Sequence, residues 1–263
     1  MSVYKLDGID LDDPAGRWVV TEDTLLPQVA SARNVSVTVP RRTGVIPLPT
    51  AAWDPFQVTV VILVHGDSLA SLDVNYQALM ARVRRTGTMP VMSYHPPGGD
   101  ERVTPVRLLG GFTPDLYYLS RSLQVQLVFE APTGVWRDPA PREADVTSGQ
   151  PVAVLDGGAM PVRDALLRLT SITTGYVRVA DRASGTTLSW TGNVPAGGYV
   201  LIDTGEWTAH VTTTPVWDPP VGGDASAALT MSPGGLALTP DSDGRTTLTL
   251  TGCAAAVRAR RAW

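Results

Sequence analysis

The chain has 263 residues, 43% hydrophobic and 17% charged, a balance typical of one large or two ordinary folded domains and not of a disordered chain. The formal net charge of −4 speaks against non-specific nucleic-acid binding, which draws on a basic surface. A single cysteine, Cys253, excludes an intrachain disulfide and cysteine-rich zinc sites.

The opening MSVYKLDGIDLDD is acidic and has no apolar h-region, so it is not read as a signal peptide, and no apolar run approaches the ~18 residues of a membrane span. The expectation is a protein made in the cytosol and kept there, or carried out as part of a larger particle. The 25 glycines and 22 prolines have no collagen period and predict many turns between short strands.

Period-2 alternation predicts strands along most of the chain. Val35, Val37 and Val39 alternate with Asn34, Ser36 and Thr38. Val58–Val64 is apolar on both faces, which predicts a central strand covered on both sides. One helix is predicted from Leu69 to about Thr86, with Leu72, Tyr76, Leu79 and Val83 on one stripe. Asp67, Ser68 or Ser71 caps its start and Gly87 ends it. Arg82, Arg84 and Arg85 crowd its last turn, where they suit the helix dipole. They read as a solvated helix end or as a contact to an acidic neighbouring subunit. Leu119, Leu123, Val125, Leu127 and Phe129 then mark a further strand.

The polar, Pro-rich run Arg137–Asp145 is read as a linker. It divides the chain into domains 1–141 and 142–263. Beyond it, strands are predicted at Gly175–Asp181, Thr186–Thr191, Tyr199–Asp203, Trp207–Thr213, Leu236–Thr239 and Thr246–Thr251. Such regular short strands separated by turn signals predict a β-sandwich or jelly roll.

Catalytic constellations are sparse. Ile62-Leu63-Val64-His65-Gly66 is how many α/β-hydrolases begin an oxyanion loop, but the Gly-x-Ser-x-Gly elbow and the strand–helix alternation of that fold are absent. His65 is therefore read as a strand-end residue. His65, His95 and His210 are far apart in sequence and none lies in a His-x-x-x-His pair. Asp7, Asp10, Asp12 and Asp13 lack the calcium-loop spacing, and Asp241-Ser-Asp243-Gly244 reads as a turn. No catalytic residue, metal site or cofactor is assigned. Trp190, Trp207 and Trp217, with Tyr176 and Tyr199, are either sandwich core or a sugar-stacking face. The register of Trp207 with Ala209 and Val211 favours burial.

Several segments in order resemble the distal tail (Dit-like) protein family of long-tailed, non-contractile bacteriophages. They are Tyr4-Lys-Leu-Asp-Gly8-Ile-Asp-Leu, the Val39-Pro40-Arg41-Arg42-Thr43-Gly44-Val45-Ile46 hairpin, and Gln124–Pro132 followed by Val135-Trp136-Arg137-Asp138. Pro195–Thr204 and the ending Ala256–Trp263 are similar to the family's galectin-like domain. The resemblance implies a mainly β, β-rich α+β fold: an N-terminal β-sandwich with one main helix and a protruding hairpin, then a C-terminal galectin-like sandwich. It implies a non-enzymatic virion protein, synthesised in the host cytoplasm, that forms a ring, usually hexameric, joining the tail tube protein to the tail-tip hub. Other minor tail proteins are further implied partners; specific nucleic acid and membrane are not. A carbohydrate-binding role of the C-terminal sandwich is the alternative. Candidate inter-subunit contacts are Arg41, Arg42 and Gly44 of the hairpin, the acids Asp10, Asp12 and Asp13, and the helix-end Arg84 and Arg85.

Overall fold

The backbone groups of strands need neighbouring strands to pair with, and their apolar faces need a dry layer beneath. The structure, a computed structural model, describes residues 4–24, 31–32, 36–38, 45–47, 53–84, 88–110, 115–117, 121–172, 175–219 and 223–263. It is mostly β, with several antiparallel sheets and, among the described residues, one α-helix. The chain divides into two compact units, Met1–Trp136 and Arg137–Trp263.

The first unit contains β1 (Tyr4–Leu6), β2 (Ile9–Asp10), β3 (Trp18–Val20), β4 (Ser36–Thr38), β5 (Val45–Pro47), β6 (Phe56–His65), α1 (Leu69–Val83), β7 (Val91–Tyr94), β8 (Arg102–Pro105), β9 (Arg107–Leu109), β10 (Asp115–Tyr117) and β11 (Ser122–Ala131). One sheet runs β2-β1-β7-β8 and another β10-β11-β6-β3, with β9 also on β11. β6 and β11 pair along all ten residues, from Phe56↔Ala131 to His65↔Ser122. Val58, Val60, Ile62 and Val64 are buried from one side and Val125, Leu127 and Phe129 alternate to match. The other face of β6 is only partly covered: Gln57 and His65 are exposed and Thr59 and Leu63 half-buried. The expectation of full cover on both faces is corrected accordingly, since hydrophobicity alone does not report which face a neighbour reaches.

α1 begins at Ser68, whose hydroxyl accepts from the Ser71 N–H at 3.1 Å while the Ser71 hydroxyl accepts from the Ser68 N–H at 2.9 Å, a reciprocal cap. Leu72, Leu79, Met80 and Val83 are buried and Tyr76 half-buried. The helix ends at Val83, earlier than expected, because Arg84 turns out of helical geometry (φ −83°, ψ 84°) while its N–H still donates to the Met80 carbonyl. Arg85 and Gly87 lie outside the described residues. No helix is long and apolar enough to cross a membrane, among the described residues.

The second unit contains β12 (Arg142–Val146), β13 (Val152–Asp156), β14 (Leu166–Thr170), β15 (Tyr176–Asp181), β16 (Thr187–Thr191), β17 (Tyr199–Asp203), β18 (Thr208–Thr212), β19 (Leu229–Met231), β20 (Arg245–Thr251) and β21 (Ala254–Ala259). They form two five-stranded antiparallel sheets, β12-β21-β14-β17-β18 and β13-β20-β15-β16-β19. Leu167, Leu169, Val200, Ile202 and Val257 of the first and Val177, Val179, Leu188, Trp190, Leu248 and Leu250 of the second are buried. Leu236–Thr239, expected as a strand, forms a single bridge, Val162↔Leu238, among the described residues, and its Ala237 and Thr239 N–H groups donate instead to the side chains of Thr186 and Asp181 at 3.0 and 3.2 Å. Leu236, Ala237 and Leu238 are buried in succession, so no face alternates. Cys253 is buried as well, and burial pushes its thiol up to about 12, which keeps it unreactive at neutral pH.

The run read as a linker is not one. Arg142–Val146 is β12, paired with β21 from Arg142↔Ala259 to Val146↔Ala255. Asp138 is buried and holds Arg261 through two charge-assisted bonds, Nη2 to Oδ1 at 2.8 Å and Nε to Oδ2 at 2.9 Å. The Arg261 N–H also donates to Asp138 and the Asp138 N–H returns to the Arg261 carbonyl, each at 3.2 Å. Arg142 adds a bond to the same carboxylate at 3.1 Å, and the Arg261 guanidinium lies 4.7 Å from the Trp263 ring centre. The polar, Pro-rich composition marks a clasp between the start and the end of this unit.

Candidate functional site

The acidic N-terminal segment folds into a knot rather than a free patch. Asp13 is buried and takes two bonds from Arg17, at 2.8 and 2.9 Å. That guanidinium holds the Asp13 carboxyl below the usual carboxylate range. Asp12 accepts from the Val20 N–H at 2.6 Å. Trp18 donates its indole N–H to the Leu11 carbonyl at 3.0 Å, and Arg17 and Arg82 lie over its ring at 4.7 and 5.4 Å. Arg82 also donates to the Asp10 carbonyl, so this helix-end arginine secures the knot. Asp10 pairs with Lys5 at 3.2 Å with its side chain 42% exposed. Asp13 is thus spent inside the chain, while Asp10 and Asp12 are half-buried and Asp10 keeps a partly exposed carboxylate.

A carboxyl held below its unfolded value of about 3.9 contributes stability that is present above that pH and lost as pH falls through the lowered native value. Asp13→Asn should therefore unfold more easily than the parent at pH 7. The two unfolding curves should begin to approach as pH falls below about 4, the unfolded value, and converge only below the lowered native value, where both side chains are neutral in both states. Denaturant titrations at a series of pH values check this.

Arg84 is exposed at the helix end. Arg41, Arg42, Gly44 and Arg85 lie outside the described residues. β4 and β5, which flank the first three in sequence, pair antiparallel as a ribbon from Ser36↔Pro47 to Thr38↔Val45 and form a sheet of their own.

The His65-Gly66 motif has a packing explanation. A Cβ on Gly66 would lie 2.5 Å from the Leu72 nitrogen, so only glycine lets the end of β6 run this close to the first turn of α1. Asn75 donates to the His65 carbonyl at 2.7 Å, and His65 Nδ1 meets the Ser122 hydroxyl at 3.1 Å. His95 is an exposed loop residue and His210 a half-buried strand residue facing Asp224 across a bridge. No group of three or more His, Cys, Asp or Glu could hold a metal ion, among the described residues.

The three tryptophans of the second unit have different environments. Trp190 is core. Trp217 is packed by the guanidiniums of Arg168 and Arg258 at 4.4 and 5.7 Å, with Arg168 also donating to the Pro215 carbonyl at 2.9 Å. Trp207, expected to be buried, is 51% exposed. It sits in the turn before β18 at φ +58°, and this reversal carries its ring off the buried register that Ala209 follows. The turn is tied by Asp203, which accepts from the N–H groups of Gly205 and Glu206 at 2.8 and 3.1 Å. Left-handed geometry costs a non-glycine residue about 1–2 kcal/mol. Trp207→Gly should therefore leave stability unchanged or raise it by up to ~1 kcal/mol, despite deleting a large aromatic. A denaturant midpoint that fell substantially would show that the ring packs more than its exposure indicates.

No family model and no curated protein matches the sequence. Among solved structures the chain has a fold counterpart of nearly equal length. The crystal structure of Dit from phage SPP1, a paradigm of the hub adsorption apparatus in phages infecting Gram-positive bacteria, matches with a TM-score of 0.61 and 18% identity over 99% of this chain and 98% of that one. The chain thus has the Dit fold from end to end, as its sequence motifs led one to expect. The baseplate of phage p2 in its activated conformation also matches. The form with strontium gives a TM-score of 0.37 at 12% identity over 98% of this chain and 97% of that one. The form with calcium gives 0.34 at 12% over 94% and 91%.

Proposed function

We propose that this protein is a structural component of a phage tail tip. It assembles as a ring, six copies in number, that joins the tail tube protein to the central hub, with the lumen open for DNA and the outside a platform for other minor tail proteins. The observation that carries the reading is the match to SPP1 Dit along nearly the whole of both chains. A chain whose fold agrees in both units has the parts a Dit-type adaptor uses, and it works by docking copies of itself, without turnover of a substrate.

A closed ring needs a heterologous interface, one patch of each copy meeting a different patch of the next. The hairpin residues Arg41, Arg42 and Gly44 on one side and Asp10 on the other are the proposed pair. Arg84 and Arg85 are a second basic contact. Asp12 and Asp13, candidates by composition, are engaged within their own chain and support the interface by holding Asp10 in place. Sugar stacking on Trp190 or Trp217 is not favoured, because Trp190 is buried and Trp217 is packed by arginines, which leaves the exposed Trp207 as a single ring and not a stacking face.

Native mass measurement of the purified chain tests the proposal. One copy is 27.9 kDa, and the expected species is six times that mass, with six-fold rings visible by electron microscopy. A strictly monomeric chain at high concentration that is also absent from the tail tip in labelled virions would overturn it.

A further inference from the structure

We propose that the second unit carries a binding site for a sugar or polyol bearing an oxyanion group. A cleft of about 400 Å³ opens there, lined by Arg182, Ala183, Asp241, Arg245 and Thr247. Arg182 directly follows β15, and its N–H donates to the carbonyl of Thr247 on β20 at 2.9 Å. Arg245 begins β20. Two adjacent sheet strands thus bring two guanidiniums to one concave space and hold them in register.

Most other arginines of this unit are committed elsewhere, and the exposed Arg178 and Arg260 do not line this cleft. Arg137 is bound to Asp164, Arg142 and Arg261 to Asp138, and Arg258 to Glu143. Arg163 and Arg168 donate to the carbonyls of Gly234 and Pro215. The Arg182 side chain has no partner among the described residues. Arg245 reaches only Asp156, at 3.7 Å, with the two side chains 62% and 75% exposed, a geometry worth little. Two guanidiniums lining one cleft offer forked donors suited to a phosphate or carboxylate group.

The remaining lining decides between a bare anion and a larger ligand. One oxygen of Asp241 accepts from the N–H groups of Asp243 and Arg245, each at 2.9 Å, which fixes the carboxylate at the cleft. Its other oxygen and the Thr247 hydroxyl have no partner among the described residues. A carboxylate repels an inorganic anion but accepts from sugar hydroxyls. A polyol carrying an oxyanion uses all four side chains, its charged group on Arg182 and Arg245 and its hydroxyls on Asp241 and Thr247. Few converging polar groups in a concave site are what small-ligand recognition uses.

Titration calorimetry on the full chain tests this with glucose 1-phosphate and glucuronate as probes and with glucose and inorganic phosphate as controls. At least one anionic sugar should bind at least tenfold more tightly than either control, and the better of the two reports whether phosphate or carboxylate is preferred. Arg182→Ala should weaken that binding at least tenfold. Arg260→Ala, at an exposed arginine outside the cleft, should leave it unchanged. Arg182 is exposed, so its variant folds, which circular dichroism verifies. Inorganic phosphate binding as tightly as the sugars, no binding of either sugar, or an Arg182→Ala variant that binds like the parent would each overturn the site. None of these outcomes bears on ring assembly, which is read from mass.

Discussion

Asp138→Ala should lower the stability of the second unit by about 3–5 kcal/mol, the cost of stripping the partner from a buried charge. Asp138 and Arg261 have side chains only 5% and 7% exposed. The carboxylate receives the Arg261 guanidinium on both oxygens, the Arg261 N–H and Arg142. Removing it takes the carboxylate away from a guanidinium in a site with little water, where the Asp156 carbonyl at 3.0 Å is a neutral acceptor and does not replace the charge. A domain is stable by only about 5–15 kcal/mol, so the loss is a large share of the total. It should also release the chain terminus, since Arg261 anchors the last residues. Guanidinium unfolding of the full chain checks it, and a loss below about 1 kcal/mol would mean that the site relaxes to admit water. Replacing both partners together, Asp138→Leu with Arg261→Met, should recover most of the loss. The pair's own net contribution is small beside the cost of orphaning one member.

Charge reversal of the hairpin, Arg41→Glu with Arg42→Glu, should abolish the proposed ring and leave the 27.9 kDa single chain. One exposed ion pair contributes about 0–1 kcal/mol, but reversal replaces attraction with repulsion, twice per interface and at each of six interfaces. Ring closure multiplies the effect, because every interface must form. Asp10 is the candidate partner, as its carboxylate is 42% exposed against Lys5. Adding Asp10→Arg to the reversed hairpin should then restore assembly. Sedimentation of the three proteins reads the outcome. A ring that survives the double reversal removes the hairpin from the interface, and a failed rescue moves its acidic partner away from Asp10.

The long elements were legible because their patterns are local. β6 and β11 are ten residues each, and the Ser68–Ser71 cap and the stripe of α1 mark a helix on their own. Tyr199–Asp203 was read with its observed bounds. The misses have common causes. Ala254–Ala259 is rich in a poor strand former and was legible only through the resemblance of the Ala256–Trp263 ending to a last strand, and its partner Arg142–Val146, charged, was missed. Each is held in a strand by the other and, for β21, by β14 on its far side. Trp207 was misplaced because a period-2 count runs through a turn that the backbone does not follow. The cleft of Arg182 and Arg245 left no trace in the sequence, since 63 positions separate residues that adjacent strands set side by side.

The sequence by itself determined the β-rich class, the single helix with its start, the absence of a disulfide and the resemblance to a phage tail protein. Period, capping and composition act over a few residues, and motif order survives where identity is low. Only the tertiary structure decided which charges are spent inside the chain and which remain at the surface. It turned a supposed linker into a buried clasp, buried Asp13 against Arg17 while leaving the Asp10 carboxylate partly exposed, and set Arg182 beside Arg245 at one cleft. A charge's role depends on its distance to others and on the water around it, and both are set by strand pairing between distant segments.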